Sequence, residues 1–363
     1  LTCENILIQS NVIEDLTSSF FTQAFGIFVG NSDGTGTPPF ARNVTVDDNS
    51  ITTCGHTGII FAGLNEPGNG YLNVTNNIVS NCGTFAGWPY DGIWASDALM
   101  TSSYGVNLEY NHILDNTENG LVISSGEIRA QNNLITRNDI GVLVMGGIAD
   151  LGNGPLGSSG LNHISQNTTF NLHNSFAADM KAELNYWGSV VFADIEASIE
   201  HKPDNPAEGF VDFIPFKGMF DPDPVWVDRT FNEVTAGWGY DHFDNITDGI
   251  MAVADSGTVN VANGVYDAEE SYPLNIQRTM TLAGQSTAAI IRNPASFVDT
   301  VTETGSVLLQ ISADNISISG FTLDGDNDPL VESTGSSELG HGLDGNPAND
   351  VTALAGIVLN PTG

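Results

Sequence analysis

Residues 105–144 read GVNLEYNHILDNTENGLVISSGEIRAQNNLITRNDIGVLV, and one short phrase occurs in them twice. The phrase begins with Asn, one further residue and Ile, at Asn111 and again at Asn133. A Gly followed by an apolar residue answers it, at Gly120 and Gly141. Self-similarity at a period of roughly 20–50 residues is typical of solenoid proteins. This stretch therefore predicts two successive coils that lie 22 residues apart.

The same phrase recurs through the first half of the chain. Its Asn residues are separated by 38, 28, 34 and 22 residues, and the larger steps contain Gly-, Pro- and Ser-rich insertions that are typical of loops. The repeated residues are Asn11, Asn49, Asn77, Asn111 and Asn133, and the answering pairs begin at Gly26, Gly58, Gly92, Gly120 and Gly141. Asn tolerates left-handed backbone angles at a turn, and its amide can bond to the Asn of the next coil. We therefore expect these five residues to form a structural ladder, with each Gly at a second corner.

Between the insertions, apolar and polar residues alternate with a period of two. Residues 43–46 (NVTV) and 106–108 (VNL) are examples. This period is that of a β-strand with one face buried, so the apolar side chains should point into the solenoid and the polar ones outward.

The pattern resembles the right-handed parallel β-helix, the pectin-lyase-like fold, over about residues 1–190. Residues 184–188 (LNYWG) look like the phrase that commonly closes such an array, and residues 194–224 resemble the irregular tail that follows it. The fold class that this resemblance implies is all-β, a right-handed parallel β-helix (solenoid). Physically, aromatic residues can cover the end of an apolar core that no further coil covers.

A second array then begins. Residues 243–254 have helical spacing with Asp244 as the expected N-cap, and strands follow from Thr258 onward. This order resembles the capping helix and opening coils of the same fold. We therefore predict three parts: β-helix coils with a closing segment in 1–193, an irregular cap and linker in 194–228, and the capping helix and first coils of a second β-helix in 229–363.

The two ends of the sequence complement each other. Joining the last residues, AGIVLNPTG, to the first, LTCENILIQSN, gives one unbroken strand, turn and strand. We expect the 363 residues to be one period of a tandem or head-to-tail array, with export signals outside this segment.

Charge limits the partners. The chain has 44 Asp and Glu against 9 Lys and Arg, a net charge of −35. Phosphate binding needs clustered basic residues, so nucleic acid is excluded as a partner and an anionic membrane is disfavoured. No apolar run is long enough to span a bilayer, so no direct membrane insertion is expected in this segment. The acidic balance favours solubility and cation binding.

Sequons and cysteines bear on the compartment. Five Asn-X-Ser/Thr sequons predict an extracellular or cell-surface glycoprotein, at Asn43, Asn73, Asn167, Asn245 and Asn315. Cys54 and Cys82 each follow the apolar residue of the repeat by three positions, and Cys3 is the third cysteine. A disulfide and a stacked pair of free thiols both fit this spacing.

Two residue clusters are candidates for ligand binding. The acidic cluster supplies hard oxygen ligands of the kind that Ca²⁺ prefers, although Pro329 and Gly335 exclude an EF-hand and a solvated loop remains an alternative. The predicted metal ligands are Asp324, Asp326, Asp328 and Glu332. The aromatic cluster offers rings that either stack on sugars or pack a loop onto the helix. Its members are Trp88, Tyr90 and Trp94.

Catalytic signals are weak. Lyases of this fold need a basic proton abstractor, for which Arg129 and Arg137 are the candidates, but an outward strand position explains Arg129 equally well. Hydrolases of the fold use several Asp residues and a Gly-His-Gly phrase. Here Asp47-Asp48 and Gly340-His341-Gly342 lie nearly 300 residues apart. The residues favour a non-catalytic role and leave the question of an enzyme open.

These observations favour a structural extracellular protein, the subunit of a surface filament or surface layer assembled head to tail from β-helices. Its expected partners are copies of itself and polysaccharide, with Ca²⁺ offsetting the charge. The alternatives are a carbohydrate-binding adhesin or a polysaccharide lyase or hydrolase, and, third, a trimer that resembles a phage tail spike.

Overall fold

A computed structural model of the chain describes residues 3–16, 24–30, 41–62, 71–84, 91–95, 105–267, 270–292, 306–324 and 353–359. The chain divides into two compact units, residues 1–217 and residues 218–363. Each unit consists of parallel β-sheets, in which every strand pairs with the equivalent strand of the next coil.

Unit 1 contains three parallel sheets, and each coil contributes one strand to each sheet until the closing segment. The first sheet comprises Cys3–Gln9, Ala41–Asp47, Tyr71–Thr75, Gly105–Glu109, Glu127–Gln131, Ile148–Gly152, Met180–Ala182 and Val211–Asp212. The second sheet comprises Val12–Leu16, Ser50–Cys54, Ile78–Ser80, His112–Leu114, Leu134–Thr136 and His163–Ser165. The third sheet comprises Ile27–Gly30, Ile59–Ala62, Asp91–Ala95, Asn119–Ile123, Ile140–Val144, Phe170–Asn174 and Ile199–Glu200. The predicted fold class is confirmed.

Stacking places like residues on like. Ile51 of the second sheet lies beside Val79, which lies beside Ile113, and all three are fully buried. Burying one such side chain contributes roughly 1.5–3 kcal/mol. Because every coil repeats the contribution, the apolar core runs along the whole described array.

The corners differ from the sequence prediction in one respect. The residue in the left-handed backbone conformation is the one before each ladder Asn, for example Asp48 (φ 53°) before Asn49 and Asn76 (φ 57°) before Asn77. The ladder Asn itself lies outside that conformation. Its side-chain amide forms the hydrogen bonds between coils. Three of the five corner residues before the predicted ladder Asn are Asp or Asn, whose short side chains tolerate left-handed angles; the other two are Ser10 and Tyr110.

The repeated Gly residues are required by close packing between coils. A Cβ atom on Gly58 would lie 2.8 Å from the backbone oxygen of Gly92, and one on Gly92 would lie 2.7 Å from that of Gly120. The prediction of a Gly at this corner is correct, but the reason is the close approach of backbone and not a special φ angle.

The end of the first array corrects the predicted boundaries. Residues beyond the LNYWG phrase still pair with the sheets, since Ile199–Glu200 joins the third sheet and Val211–Asp212 joins the first. A short helix, Phe192–Glu196, lies between them. Unit 1 therefore ends at Lys217 rather than at residue 193, and the segment 194–228 is divided between the two units. Sequence reasoning missed these strands because each is only two residues long.

Unit 2 begins its pairing earlier than predicted. Its five-stranded sheet comprises His242–Phe243, Val225–Val227, Thr258–Val261, Thr281–Gly284 and Ser317–Ser319, in that spatial order. Two three-stranded sheets comprise Gly264–Tyr266, Ala289–Arg292 and Phe321–Asp324, and Leu274–Ile276, Ser306–Ile311 and Ala353–Leu359. The strand Val225–Val227 lies in the stretch that the sequence assigns to a linker.

The predicted capping helix is shorter than expected. It spans Ile246–Ala252, and its N-cap is Asn245, whose side chain accepts a hydrogen bond from the backbone N–H of Asp248. Asp244 is therefore not the cap. Gly249 faces the end of the five-stranded sheet, where a Cβ atom would meet Val227 at 2.8 Å.

Candidate interaction surfaces

The Asn ladder is the most regular polar feature of unit 1. The five predicted residues lie in one line, in which each Nδ2 donates to the Oδ1 of the next at 2.9–3.0 Å. Two further residues that the prediction omits continue the line, Asn162 and Asn185. Asn162 begins the phrase NHI, identical to that at Asn111, so the signal was present in the sequence.

Within the ladder, hydrogen bonds satisfy each buried amide. The Oδ1 of Asn111 accepts the backbone N–H and the Nδ2 of Asn77, while its own Nδ2 donates to Val74 O and to Asn133 Oδ1. Such full satisfaction is what permits a polar side chain in an apolar core. At the start of the line, the Oδ1 of Asn11 accepts no hydrogen bond from the described residues.

A second ladder lies five residues further along each coil. Asn116 donates to Asn138, and Asn138 donates to Asn167. Cys54 and Cys82 occupy the same position in the preceding coils, and both are buried free thiols. The side-chain contact with Cys54, together with burial, raises the pKa of the Cys82 thiol. Of the two states that the sequence allows, the structure contains the stacked thiols, and the side chain of Cys3 lies outside the described part.

The five sequons occupy unequal environments. Asn43 and Asn315 are exposed, and Asn73 is partly buried. Asn167 donates its Nδ2 to Ile135 O, Ser165 O and Asn171 Oδ1, and the Nδ2 of Asn245 donates to Asp244 and Asp248. A glycan on Nδ2 of Asn167 would break the second ladder, so the geometry argues against that site.

The predicted metal ligands are only partly described. Asp324 lies at the end of a strand and accepts hydrogen bonds from Arg292 at 2.8 and 2.9 Å. Asp326, Asp328 and Glu332 lie outside the described residues. Within the described ranges, no group of three His, Cys, Asp or Glu side chains is placed to hold a metal ion.

Of the three predicted sugar-stacking residues, Trp94 lies in the described part of the chain. Trp94 lies on the outer face of the third sheet between Ile60 and Val122, and its Nε1 donates to Ser124 Oγ at 3.2 Å. This partly buried ring is therefore held in a column of apolar neighbours. Trp88 and Tyr90 lie outside the described residues.

The catalytic candidates form links between coils. Arg129 pairs with Glu109 at 2.9 Å, and Arg137 pairs with Asp115 at 2.7 Å. Asp47 accepts hydrogen bonds from Gln9, Thr75 and Asn76, and Asp48 accepts one from Ser10. His341 lies outside the described residues.

A buried carboxyl escaped the sequence analysis. Asp91 is fully buried at the start of a third-sheet strand, with Oδ1 accepting from Asn119 Nδ2 at 2.8 Å and Oδ2 without a partner. Thr57, at the same position one coil earlier, also has an unpartnered hydroxyl oxygen. Burial raises the pKa of Asp91 to about 7, and the charge of Glu118 adds to the shift. No sequence pattern marks such a residue, because its depth depends on the neighbouring coils.

Comparison with known proteins agrees with the geometry. The sequence profile of the right-handed β-helix region family matches residues 1–175. Together with the parallel sheets, this match identifies the chain as a right-handed parallel β-helix repeat protein. No curated protein and no solved structure matches the chain. The helices of the described chain have five and seven residues, and neither is long and apolar enough to cross a membrane.

Proposed function

We propose that this chain is a structural extracellular protein whose β-helices join head to tail, coil on coil, in a surface filament or surface layer. The observation that carries the proposal is the coil-on-coil register of unit 1. Asn49, Asn77, Asn111 and Asn133 each accept two hydrogen bonds from the ladder Asn of the neighbouring coil. A further coil with an Asn at the same position can add to such a stack through the same two bonds.

The strand edges support the same arrangement. Cys3–Gln9, Val12–Leu16 and Ile27–Gly30 are the outermost strands of their sheets. The inward side chains Ile6 and Ile8 are partly exposed, although the equivalent Val44 and Val46 are buried. Unpaired backbone groups beside an apolar core are a template for a further strand.

The opposite end of the first array is closed. Trp187, Phe213 and Phe216 are buried there, and the Trp187 and Phe213 rings lie 6.4 Å apart. In unit 2 the helix Ile246–Ala252 covers the start of the core, and Ala353–Leu359 is an outer strand.

Localisation and counter-ions belong to the same proposal. The exposed sequons Asn43 and Asn315 favour an extracellular location. A net charge of −35 opposes close packing of copies, so Ca²⁺ or another cation is expected to offset it.

The experiment is sedimentation velocity and negative-stain electron microscopy of the purified chain over a range of concentrations, with and without CaCl₂. We expect rods that lengthen with concentration. Ile8→Lys places a charge in the open edge and should abolish the rods. Leu7→Lys is the matched control, since Leu7 is 60% exposed on the outer face of the same strand.

Circular dichroism of both variants must show a folded β-protein. Wild-type chain that stays monodisperse at every concentration would refute the proposal, and so would a Leu7→Lys variant that assembles as poorly as Ile8→Lys.

A further inference from the structure

A groove on the outer face of the five-stranded sheet of unit 2 contains an exposed tryptophan. Trp226 is 46% exposed although both of its neighbours in the strand are buried. It lies beside Asn260, which lies beside Ala283, so the groove crosses three adjacent strands. The groove has a volume of about 340 Å³, and it is also lined by Asp228, Phe231 and Gln285.

The floor beside the indole is low. Two strands away from Trp226, in the strand Thr281–Gly284, the groove is lined by Ala283 and Gly284. Neither residue has a side chain larger than a methyl group. Phe231 forms one wall, where its ring packs on His242 with the centroids 4.9 Å apart. The indole therefore presents a flat apolar platform that the protein itself leaves uncovered.

The polar groups around the platform retain bonding capacity. Gln285 uses its Oε1 to accept from Asn263 N, and Asp228 uses Oδ1 to accept from Thr230. Three side-chain groups have no hydrogen-bond partner among the described residues: the Nε2 of Gln285, the Oδ2 of Asp228 and the side-chain amide of Asn260. An apolar surface with a few convergent donors and acceptors is the usual composition of a small-ligand site.

We propose that this groove binds a neutral polysaccharide, with one pyranose ring stacked on Trp226. The C–H face of a pyranose matches a flat indole, and its hydroxyls both donate and accept, as the amides and the carboxylate require. No Lys or Arg lines the groove, Asp228 lies at its rim, and the chain carries a net charge of −35. Acidic sugars are therefore repelled. The site is independent of the coil edges that the head-to-tail assembly uses.

The test is a titration of the full chain with cellohexaose, xylohexaose and mannohexaose. Isothermal titration calorimetry and tryptophan fluorescence measure the binding. Polygalacturonate oligomers serve as the acidic comparison. We expect at least one neutral oligomer to bind, and Trp226→Ala to weaken its binding at least tenfold. Trp226→Phe, which keeps a ring, should lose less.

Val234→Ala is the matched control, since Val234 is 88% exposed in the same unit and lies outside the groove. Repeating the titration with Ile8→Lys separates the site from assembly, because that variant should bind as well as wild type. The proposal is overturned if no neutral oligomer binds, if Trp226→Ala binds as tightly as wild type, or if polygalacturonate binds better.

Discussion

At the residue scale, the buried Asn side chains link neighbouring coils. Each ladder Asn joins two neighbouring coils through its side chain, and an apolar replacement cannot do this. The cost of losing one is set mainly by the partners left behind, because a buried donor or acceptor without a partner costs about 1–3 kcal/mol.

Asn111→Ala tests this account. The change leaves the backbone N–H of Asn77 and the carbonyl of Val74 without their partners, and we expect a loss of about 3–5 kcal/mol in the free energy of unfolding. Urea denaturation followed by circular dichroism measures it. Asn107→Ala is the control, because Asn107 lies on the outer face of the preceding strand and donates one bond, to Asn73. Equal losses in the two variants would contradict the ladder account.

Asp91 predicts a pH dependence of stability. Its pKa is about 7 in the folded chain and near 3.8 in the unfolded chain, so the folded state binds the proton more tightly. Stability is therefore lost as the pH rises from about 4 to about 7, by roughly 4 kcal/mol in total for this group. Asp91→Asn removes the ionisation, and the variant should exceed wild type in stability at pH 8 but not at pH 3.5. Urea denaturation at both pH values measures the difference.

Asp47→Asn should change the pH dependence of stability in the opposite direction to Asp91→Asn. Hydrogen bonds from Thr75, Asn76 and Gln9 hold the pKa of Asp47 below its usual value. Its carboxylate contributes stability at neutral pH that is lost on acidification. This variant should therefore be less stable than wild type at pH 8, and a gain there would contradict the assignment.

At the element scale, the helix Ile246–Ala252 depends on side chains that close its first turn. A helix of seven residues is too short to be stable alone. Asn245 caps it locally, and Glu270 accepts the backbone N–H groups of Ile246 at 2.6 Å and Thr247 at 2.9 Å. A carboxylate at this end also interacts favourably with the positive N-terminal end of the helix dipole.

Glu270→Ala should lower the stability of unit 2 by about 2–3 kcal/mol, because the buried N–H of Ile246 and the partly buried N–H of Thr247 lose their acceptor. Hydrogen exchange of residues 246–252, read by mass spectrometry, should rise in the variant. Glu233→Ala removes an exposed acidic residue from the same unit and serves as the control for the change in charge. Unchanged exchange in Glu270→Ala would show that the helix does not need this cap.

At the scale of the whole molecule, the dominant quantity is the net charge of −35. Like charges repel within each unit, and salt screens them with a Debye length of about 10 Å at 0.1 M. We expect the midpoint of thermal unfolding to rise when NaCl is increased from 10 to 500 mM. Differential scanning calorimetry measures the shift, and a midpoint that falls would contradict the electrostatic account.

The same measurement tests the calcium prediction. At equal ionic strength, CaCl₂ should raise the midpoint more than MgCl₂ or NaCl, because flexible carboxylate sites suit Ca²⁺ better than Mg²⁺. Asp324→Asn should remove the Ca²⁺-specific part if the predicted cluster holds the ion. Equal effects of the two divalent salts would contradict a specific site.

Local sequence patterns are enough to predict the solenoid, the strands of most coils and most of the Asn ladder. These features repeat, and their cause is local: alternation decides which side chain points inward, and stacking places each residue on its equivalent in the next coil. Asn162 begins a phrase of the same pattern, whereas Asn185 begins NYW, which lacks the aliphatic third residue. The apolar spacing also predicts the capping helix, but the structure has its N-cap at Asn245, one residue after Asp244.

Contacts made in the folded chain, by contrast, determine which single residues are buried and which are exposed. Asp91 is buried because neighbouring coils cover it, and Glu270 is buried because it folds back onto a helix 24 residues away in the chain. Trp226 is half exposed in a groove that also contains the small residues Ala283 and Gly284, two strands away. These outcomes depend on contacts between residues far apart in the chain, and no local period encodes such contacts.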